Sequence, residues 1–574
     1  MCLKRFFIVI ALSSITIEGV AQAYFEDIAF SLGVGISCGD SPIGNGITFF
    51  DYNNDGWDDL TVPSQSGTPL RFFKNINGTF QEEVLITPAI TYQTKQVNWV
   101  DFDNDGDNDL YVTSNVSGNK LYQNDGNFNF TDITIASGLP TANIFTYGAS
   151  WGDYNNDGYL DVFLSNRDVN NVVPNYLYRN NGDGTFVNVS NLVGLLETSN
   201  LSFCSAFFDF NNDGWQDIYV SNDRVDNPNV LYKNNGDGTF SDVSQSSGTN
   251  LAIDAMTVTI GDYNHDGWFD IYVSNTPSGN VFLMNNGNET FTNIAASNGT
   301  TFNSIAWGAV FLDAENDMDL DLYVSGQLTG SNPNLRSAAF YENNGNGIYT
   351  IPTNCGFIND TRESYSNAIG DVDNDGLSDI AVSNANHENI FIWKNQTVTT
   401  NNYLKIKLHG TTSNKNGIGS VIEVSTNGIK QYNYTLCGEG YLAQNSATEI
   451  FGLGTNTSAD YVKVTWLSGI EDTFYNVEAN QTLNISEGSG ELSIVKHNFD
   501  SFLYYPNPVT NTLSLKAQHP IQNIVIYNIL GQPILNITPN NSNVNIPMST
   551  FQDGIYIAEL TINGVSKNIR VIKK

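Results

Sequence analysis

The sequence predicts an all-β fold: a seven-bladed β-propeller with calcium loops, then a second β-rich domain and a small C-terminal β-sandwich. Three observations predict it. An acidic nine-residue segment recurs seven times in the 574 residues, with starts 50, 52, 56, 53, 51 and 58 residues apart. That period is too long for helical hairpin repeats and suits four short strands with their turns. Charged residues make up only 15% of the chain while Gly numbers 50 and aromatics reach 12%, the composition of turn-rich sheet rather than of bundles or disorder. Finally, 24 of the 60 acidic residues fall on four fixed positions of the seven segments.

Taken from the N-terminus, Lys4 and Arg5, the apolar run Phe6 to Ile17 and the small-residue site Ala21-Gln22-Ala23 read as a secretory signal over residues 1–23. The apolar run is shorter than the ~18 residues a membrane span needs, and no later segment is long enough, so no transmembrane anchor is expected after its removal. With Cys2 lost, Cys38, Cys204, Cys355 and Cys437 remain, without zinc spacing and with no pairing implied. A formal charge of −36 disfavours nucleic acid and anionic membranes and favours cations as partners.

The repeat domain is expected over residues 24–398. In each unit an apolar strand such as Gly46 to Phe50 or Ala206 to Phe208 enters the acidic loop, and an apolar stretch such as Ile218 to Ser221 leaves it. A third strand, Leu177 to Asn180 or Leu231 to Asn234, meets a turn such as Asn235-Gly236-Asp237-Gly238 before a fourth opens with Thr-Phe, as at Thr239-Phe240. The fourth strands have the form Phe-x-Asp-Ile/Val, which also stands at Phe25-Glu26-Asp27-Ile28, whereas the seventh unit has no fourth strand after Asn389 to Lys394. Tyr24 to Phe30 is therefore expected to complete the last blade and close a ring without open edges, the competing architecture being an open solenoid.

Each loop offers oxygen at positions 1, 3, 5 and 9, with a backbone carbonyl at 7. The candidate ligands are Asp51, Asn53, Asp55, Trp57 and Asp59 in loop 1, and Asp101, Asp103, Asp105, Asp107 and Asp109 in loop 2. Loop 3 supplies Asp153, Asn155, Asp157, Tyr159 and Asp161, and loop 4 Asp209, Asn211, Asp213, Trp215 and Asp217. Loop 5 supplies Asp262, Asn264, Asp266, Trp268 and Asp270. Loop 6 supplies Asp313, Glu315, Asp317, Asp319 and Asp321, and loop 7 Asp371, Asp373, Asp375, Leu377 and Asp379. The pattern resembles the first half of a helix-loop-helix calcium site, with Gly at position 6 in six of the seven. Hard oxygen donors without a recurring His or Cys point to Ca2+, up to seven ions, rather than zinc or copper. Loop 6, with Met318 in place of Gly and Glu315 at position 3, is expected to bind weakly. His265 is expected to be a solvated turn residue, and the position-7 rings to pack between blades.

The repeats resemble the FG-GAP/VCBS repeats, whose ions stabilise the blades and do not catalyse. Residues 401–487 resemble the ASPIC/UnbV domain in Asn402 to Gly410, Ser413-Asn414-Lys415, Gly417-Ile418-Gly419, Gly438-Glu439-Gly440-Tyr441, Gln444, Phe451 to Gly454, Trp466 to Gly469 and Asn476 to Asn480, departing at Leu467 and Ala443. The arrangement is similar to the cartilage acidic protein family. After a linker at 488–498, residues 499–574 resemble the type IX secretion sorting domain, carried by Tyr505-Pro506-Asn507-Pro508, Ile524 to Gly531, Gly554 to Leu560 and Lys573-Lys574. This implies passage through the type IX machinery to the outer surface or the medium.

The function expected is a secreted or cell-surface, non-enzymatic calcium-binding protein that presents loops to an extracellular glycan or a surface protein. The alternative is a secreted enzyme of lyase or cyclase type with its site in the propeller funnel. Only five His exist and none lies in a nucleophile or metalloprotease motif. Glu439 and Tyr441 could form an acid/base pair, against a β-turn with a core aromatic.

Overall fold

Each repeat builds one antiparallel sheet in the computed structural model, which describes residues 22–65, 67–170, 172–327, 336–357, 360–490, 503–529, 531–562 and 565–574. The predicted signal segment, apart from its last two residues, and most of the predicted linker lie outside these. The described residues are all-β, with two one-turn helices at Ser244–Ser247 and Ala295–Asn298. In the fourth repeat the strands Ser202–Phe208, Asp217–Asn222, Val230–Asn234 and Phe240–Asp242 follow in order across the sheet. The first two are buried along their whole length, whereas the fourth buries only its Phe. The unbroken apolar inner strands and polar outer strands follow from that gradient: the inner strands are covered on both faces.

Seven such sheets stand among the described residues. Phe25–Asp27 pairs with Phe391–Asn395 in the seventh, with Phe25 opposite Asn395 and Asp27 opposite Trp393, which is the place predicted for it. Neighbouring sheets pack face to face: Phe163 and Leu177 of the third meet Phe207 and Ile218 of the fourth in one apolar cluster. Ile47, Phe49 and Leu60 of the first sheet likewise share a cluster with Ala368, Ala381 and Ile392 of the seventh. The four cysteines among the described residues, Cys38, Cys204, Cys355 and Cys437, are buried free thiols.

Residues from Asn402 onward form two further sheets. Thr448–Gly454, Asn402–His409 and Thr482–Ser486 make one, and Ile429–Tyr434, Val421–Thr426, Ser458–Thr465 and Glu471–Glu478 the other. Their shared core holds Leu404, Ile406, Val424, Val462 and Trp466. The described residues up to Gly490 are one compact unit, because a segment between these sheets runs along the first strands of all seven repeats. Ala443 and Gln444 add a parallel strand to Ile47–Phe50, and the Gln444 side chain both accepts from Trp99 N and donates to Trp99 O, each at 2.7 Å. Trp151 N donates to Cys437 O, and Gly440 N to Val258 O. Tyr441 is 0% exposed, with its ring 5.6 Å from Phe203 and 5.0 Å from Trp307, and Asn445 accepts from Ile369 N. Glycine is required at 438: a Cβ there would stand 2.0 Å from Ala149 O.

The second unit, from Glu491, is a six-stranded sheet built on the long strand Thr512–Tyr527. It closes over its own core of Leu513, Leu515, Ile521, Ile524, Ile546 and Leu560.

Candidate cation loops

The seven loops share one hydrogen-bond scaffold. The position-1 carboxylate folds the loop: Asp153 Oδ1 accepts from Asp157 N at 3.0 Å and Oδ2 from Gly158 N at 2.8 Å, and the other six loops repeat both bonds. The position-5 carboxylate accepts from the N–H of position 7 in every loop, as Asp157 does from Tyr159 at 3.0 Å. This geometry needs a left-handed residue at position 6, which Gly adopts without strain. Met318 is held there at φ 80° in loop 6, against 86° at Gly158.

Position 9 is an anchor. Asp217 Oδ2 accepts from Phe210 N at 3.1 Å and Oδ1 from Asn234 N at 2.7 Å, tying the loop to the end of the third strand. The same pair of bonds is made by Asp59, Asp109, Asp161, Asp270, Asp321 and Asp379. The partner asparagines at the end of the third strands were not singled out from the sequence, although a Lys-Asn or Arg-Asn pair recurs there at Asn75, Asn180, Asn234 and Asn395. In five repeats the same Asn side chain reaches the neighbouring sheet, as Asn234 Nδ2 does to Tyr154 O at 2.7 Å and Asn75 Nδ2 to Val372 O at 2.8 Å.

Burial makes these carboxyls reluctant to ionise. Asp59 and Asp109 are pushed up to about 9 by desolvation, reinforced by neighbouring acids, and Asp161, Asp217, Asp270, Asp321 and Asp379 lie well above the usual range for the same reasons. At position 1, burial raises Asp101, Asp153 and Asp262 to about 7 and Asp209 to about 6.

Position 3 differs in kind. Asp103 Oδ1, Asn155 Oδ1, Asn211 Oδ1, Asn264 Oδ1 and Asp373 Oδ1 are buried acceptors without a hydrogen-bond partner. Such orphans are rare, and each asks for a ligand. Oxygens of Asp101, Asp103 and Asp109, and of Asp371, Asp373 and Asp375, converge within 4.8 Å of one another, a spacing that could hold a metal ion. In loop 6 Glu315 instead accepts from Ala23 N at 2.7 Å.

Position 4 links loop to loop. Asn104 Nδ2 donates to Gly158 O, Asn156 to Gly214 O, Asn212 to Gly267 O, Asn316 to Gly376 O and Asn374 to Gly56 O, at 2.8 to 3.0 Å. His265 stands at this position in loop 5 and is not the solvated turn residue expected: it is half-buried, its Nδ1 is buried without a hydrogen-bond partner, and burial lowers its pKa. The rings at position 7 lie on turn glycines of their own sheet, Tyr159 on Gly182 and Trp215 on Gly236, rather than between sheets.

The segment after Asn402 packs against the loop face and bonds loops 1, 2, 6 and 7, while position 5 stays exposed in six of the seven loops. Lys405 Nζ donates to Asp371 Oδ2 at 2.9 Å, Lys407 Nζ to Asp51 Oδ2 at 2.9 Å, Lys415 N to Asn104 Oδ1 at 3.0 Å and Gly454 N to Asn316 O at 2.9 Å.

Comparison with known proteins accords with this division. Residues 51–112, 101–164, 153–220 and 209–273 match the FG-GAP-like repeat, residues 410–492 match ASPIC and UnbV, and residues 503–574 match the secretion system C-terminal sorting domain. That last match indicates type IX export to the surface or the outside, and no helix among the described residues is long and apolar enough to cross a membrane. The chain is 24% identical over 476 residues to cartilage acidic protein 1 of Xenopus tropicalis, covering 74% of this chain and 70% of that protein. It is 23% identical over 279 residues to the Mus musculus protein, covering 47% of this chain and 42% of that one, less than half of its length. Among solved structures, PorZ, a surface component of the type IX secretion system of Porphyromonas gingivalis, shares 13% identity over 90% of this chain and 74% of that one, at a TM-score of 0.26. That superposition is too loose to carry a structural argument.

Proposed function

We propose that the chain is an exported, non-enzymatic binding protein whose seven repeat sheets close into a seven-bladed propeller stiffened by calcium, up to seven ions, one per loop. The observation that carries the metal reading is the set of orphaned position-3 oxygens, which stand beside carboxylates that burial and mutual repulsion would otherwise keep protonated. A hard cation taking six to eight oxygens answers both features, and the ligand positions hold no His or Cys for zinc. Ring closure is supported by the strand Phe25–Asp27 in the seventh sheet and by the apolar cluster common to the first and seventh sheets. In this reading the ions hold the loops in shape and take no part in chemistry.

Because the ASPIC and UnbV segment occupies part of the loop face, the ligand falls to the opposite ends of the sheets. There the connections between second and third strands expose Val116, Val169, Val172 and Val225. A glycan or a surface protein bound on these connections fits a rigid frame with variable loops. Incubation of the exported protein with polysaccharides and on a glycan array tests the reading. Retention without turnover is expected; new reducing ends or unsaturated products would overturn it.

A second reading, an enzyme, is favoured by one observation. A cavity of about 100 Å3 between the repeat sheets and the attached domain is lined by Glu439 and Glu449, whose carboxyls burial pushes up to about 7 and 8. Paired carboxyls of this kind serve as general acids. The other half of the sequence-level pair, Tyr441, is fully buried with its hydroxyl donated to Ile43 O at 2.7 Å, so it is packed as core.

A further inference from the structure

Loops 1 and 7 differ from the rest in having an ammonium group of this chain on the position-1 carboxylate. On the strand Asn402–His409, Leu404, Ile406 and Leu408 face the core, so alternation turns Lys405 and Lys407 toward the loops. Lys405 Nζ donates to Asp371 Oδ2 at 2.9 Å and to Asn374 Oδ1 at 2.6 Å, with Lys405 and Asp371 side chains 7% and 0% exposed. Lys407 Nζ makes the parallel bonds to Asp51 Oδ2 at 2.9 Å and Asn54 Oδ1 at 3.2 Å, and remains 25% exposed. A second lysine reaches each loop from its own third strand. Lys74 Nζ lies 3.2 Å from Asp55 Oδ2, while Lys394 pairs with Asp373 and stands 3.7 Å from Asp375. Among the described residues, no Lys or Arg pairs with the position-1 carboxylates of loops 2 to 6.

Two ammonium groups carry the formal charge of one divalent cation. We infer that loops 1 and 7 form a second class of site, compensated by Lys74 with Lys407 and by Lys394 with Lys405. They keep their shape without a metal ion and bind a divalent cation more weakly than the loops whose position-1 carboxylate has no lysine partner. Both effects follow from one sign: the ammonium groups attract the carboxylates and repel an incoming cation at close range, where solvent screening is least. Lys405 and Lys407 are positioning residues that also couple the attached domain to the state of these two loops.

The inference rests on the calcium reading of the loops, and the test separates the two. Calcium binding to the whole exported chain, titrated by calorimetry and equilibrium dialysis, is expected to show two weak sites from loops 1 and 7 besides the altered loop 6. In Lys405→Gln/Lys407→Gln two sites should tighten by about tenfold or more, from removal of a unit charge near each ion. The same variant should melt several degrees below wild type in chelator and approach it in excess calcium. Lys430→Gln, on the same domain but paired with Glu423, should change neither. Should the double variant not fold, Lys407→Gln alone, at the more exposed lysine, should tighten one site. An unchanged distribution of affinities, or a chelator melting curve coincident with wild type, overturns the inference. If wild type binds no calcium at all, the calcium reading fails, and the chelator comparison alone decides whether the lysines hold the loops.

Discussion

Asn374 Nδ2 donates to Gly56 O at 2.9 Å, so the seventh acidic loop is fastened to the first by the same bond that fastens loop 2 to loop 3 and loop 3 to loop 4. Asn54 breaks the series: its Oδ1 accepts from Lys407 instead. Five such bonds therefore link loops 2 to 5 in one group and loops 6, 7 and 1 in another, the last across 318 residues of sequence, so the acidic loops are not seven independent turns.

Asn374→Ala removes that bond, worth about 1 kcal/mol, and also the Oδ1 acceptor of Lys405, a charged hydrogen bond worth about 1.5–3 kcal/mol. Asn212→Ala, which removes the bond from loop 4 to loop 5, should cost about 1 kcal/mol. Differential scanning calorimetry of the two variants checks this. Equal losses would mean that the Lys405 contact contributes nothing to stability.

Asp217→Ala is expected to be more damaging than loss of a ligand. It strands two buried N–H groups, those of Phe210 and Asn234, at about 1–3 kcal/mol each. Asn211→Ala removes an orphaned acceptor and two exposed bonds from Nδ2 to Asp213 and Glu289, so it should cost the metal-free protein only about 1 kcal/mol while lowering its stabilisation by calcium. Melting temperatures with and without calcium separate the two effects.

Stability of the metal-free protein is expected to fall as pH rises. The position-9 carboxyls of Asp59 and Asp109, at about 9 when folded, lie above their unfolded values, so the folded state binds more protons. Their stabilising contribution is full below about pH 4 and is lost progressively as pH rises toward 9. Excess calcium supplies the ionised carboxylates with a partner and should flatten that decline. Melting curves between pH 5 and 9, with and without calcium, test the sign.

Tyr441→Ala is expected to destabilise the repeat domain itself by about 3–5 kcal/mol, as for other buried aromatics. The ring sits between Phe203 and Trp307, far in sequence from either, so protease cleavage should appear within residues 24–398 as well as in the attached domain. Cleavage confined to residues 401–487 would show that the segment around Tyr441 is a passenger.

Much of this was legible in the sequence because it is local. The ligand register of the loops depends on residues within nine positions, and the strand that pairs with Phe391–Asn395 is announced by Phe25-Glu26-Asp27-Ile28, which has the Phe-x-Asp-Ile/Val form of Phe240-Ser241-Asp242-Val243. The segment Cys437 to Asn445 was not legible: Gly438 to Tyr441 reads as an ordinary turn, and Gly438 is required by Ala149, hundreds of positions away. Lys405 and Lys407 were equally hidden, since alternation fixes their face but not what lies opposite. His265 was misread because its neighbour, loop 6, is supplied by the next repeat.

The most direct test of the central claim is the metal content of the exported, purified chain, measured by elemental analysis and native mass spectrometry after dialysis against millimolar calcium. Four to seven calcium ions per chain are expected, the weaker sites filling last; none bound, at any supplied concentration, would contradict the account.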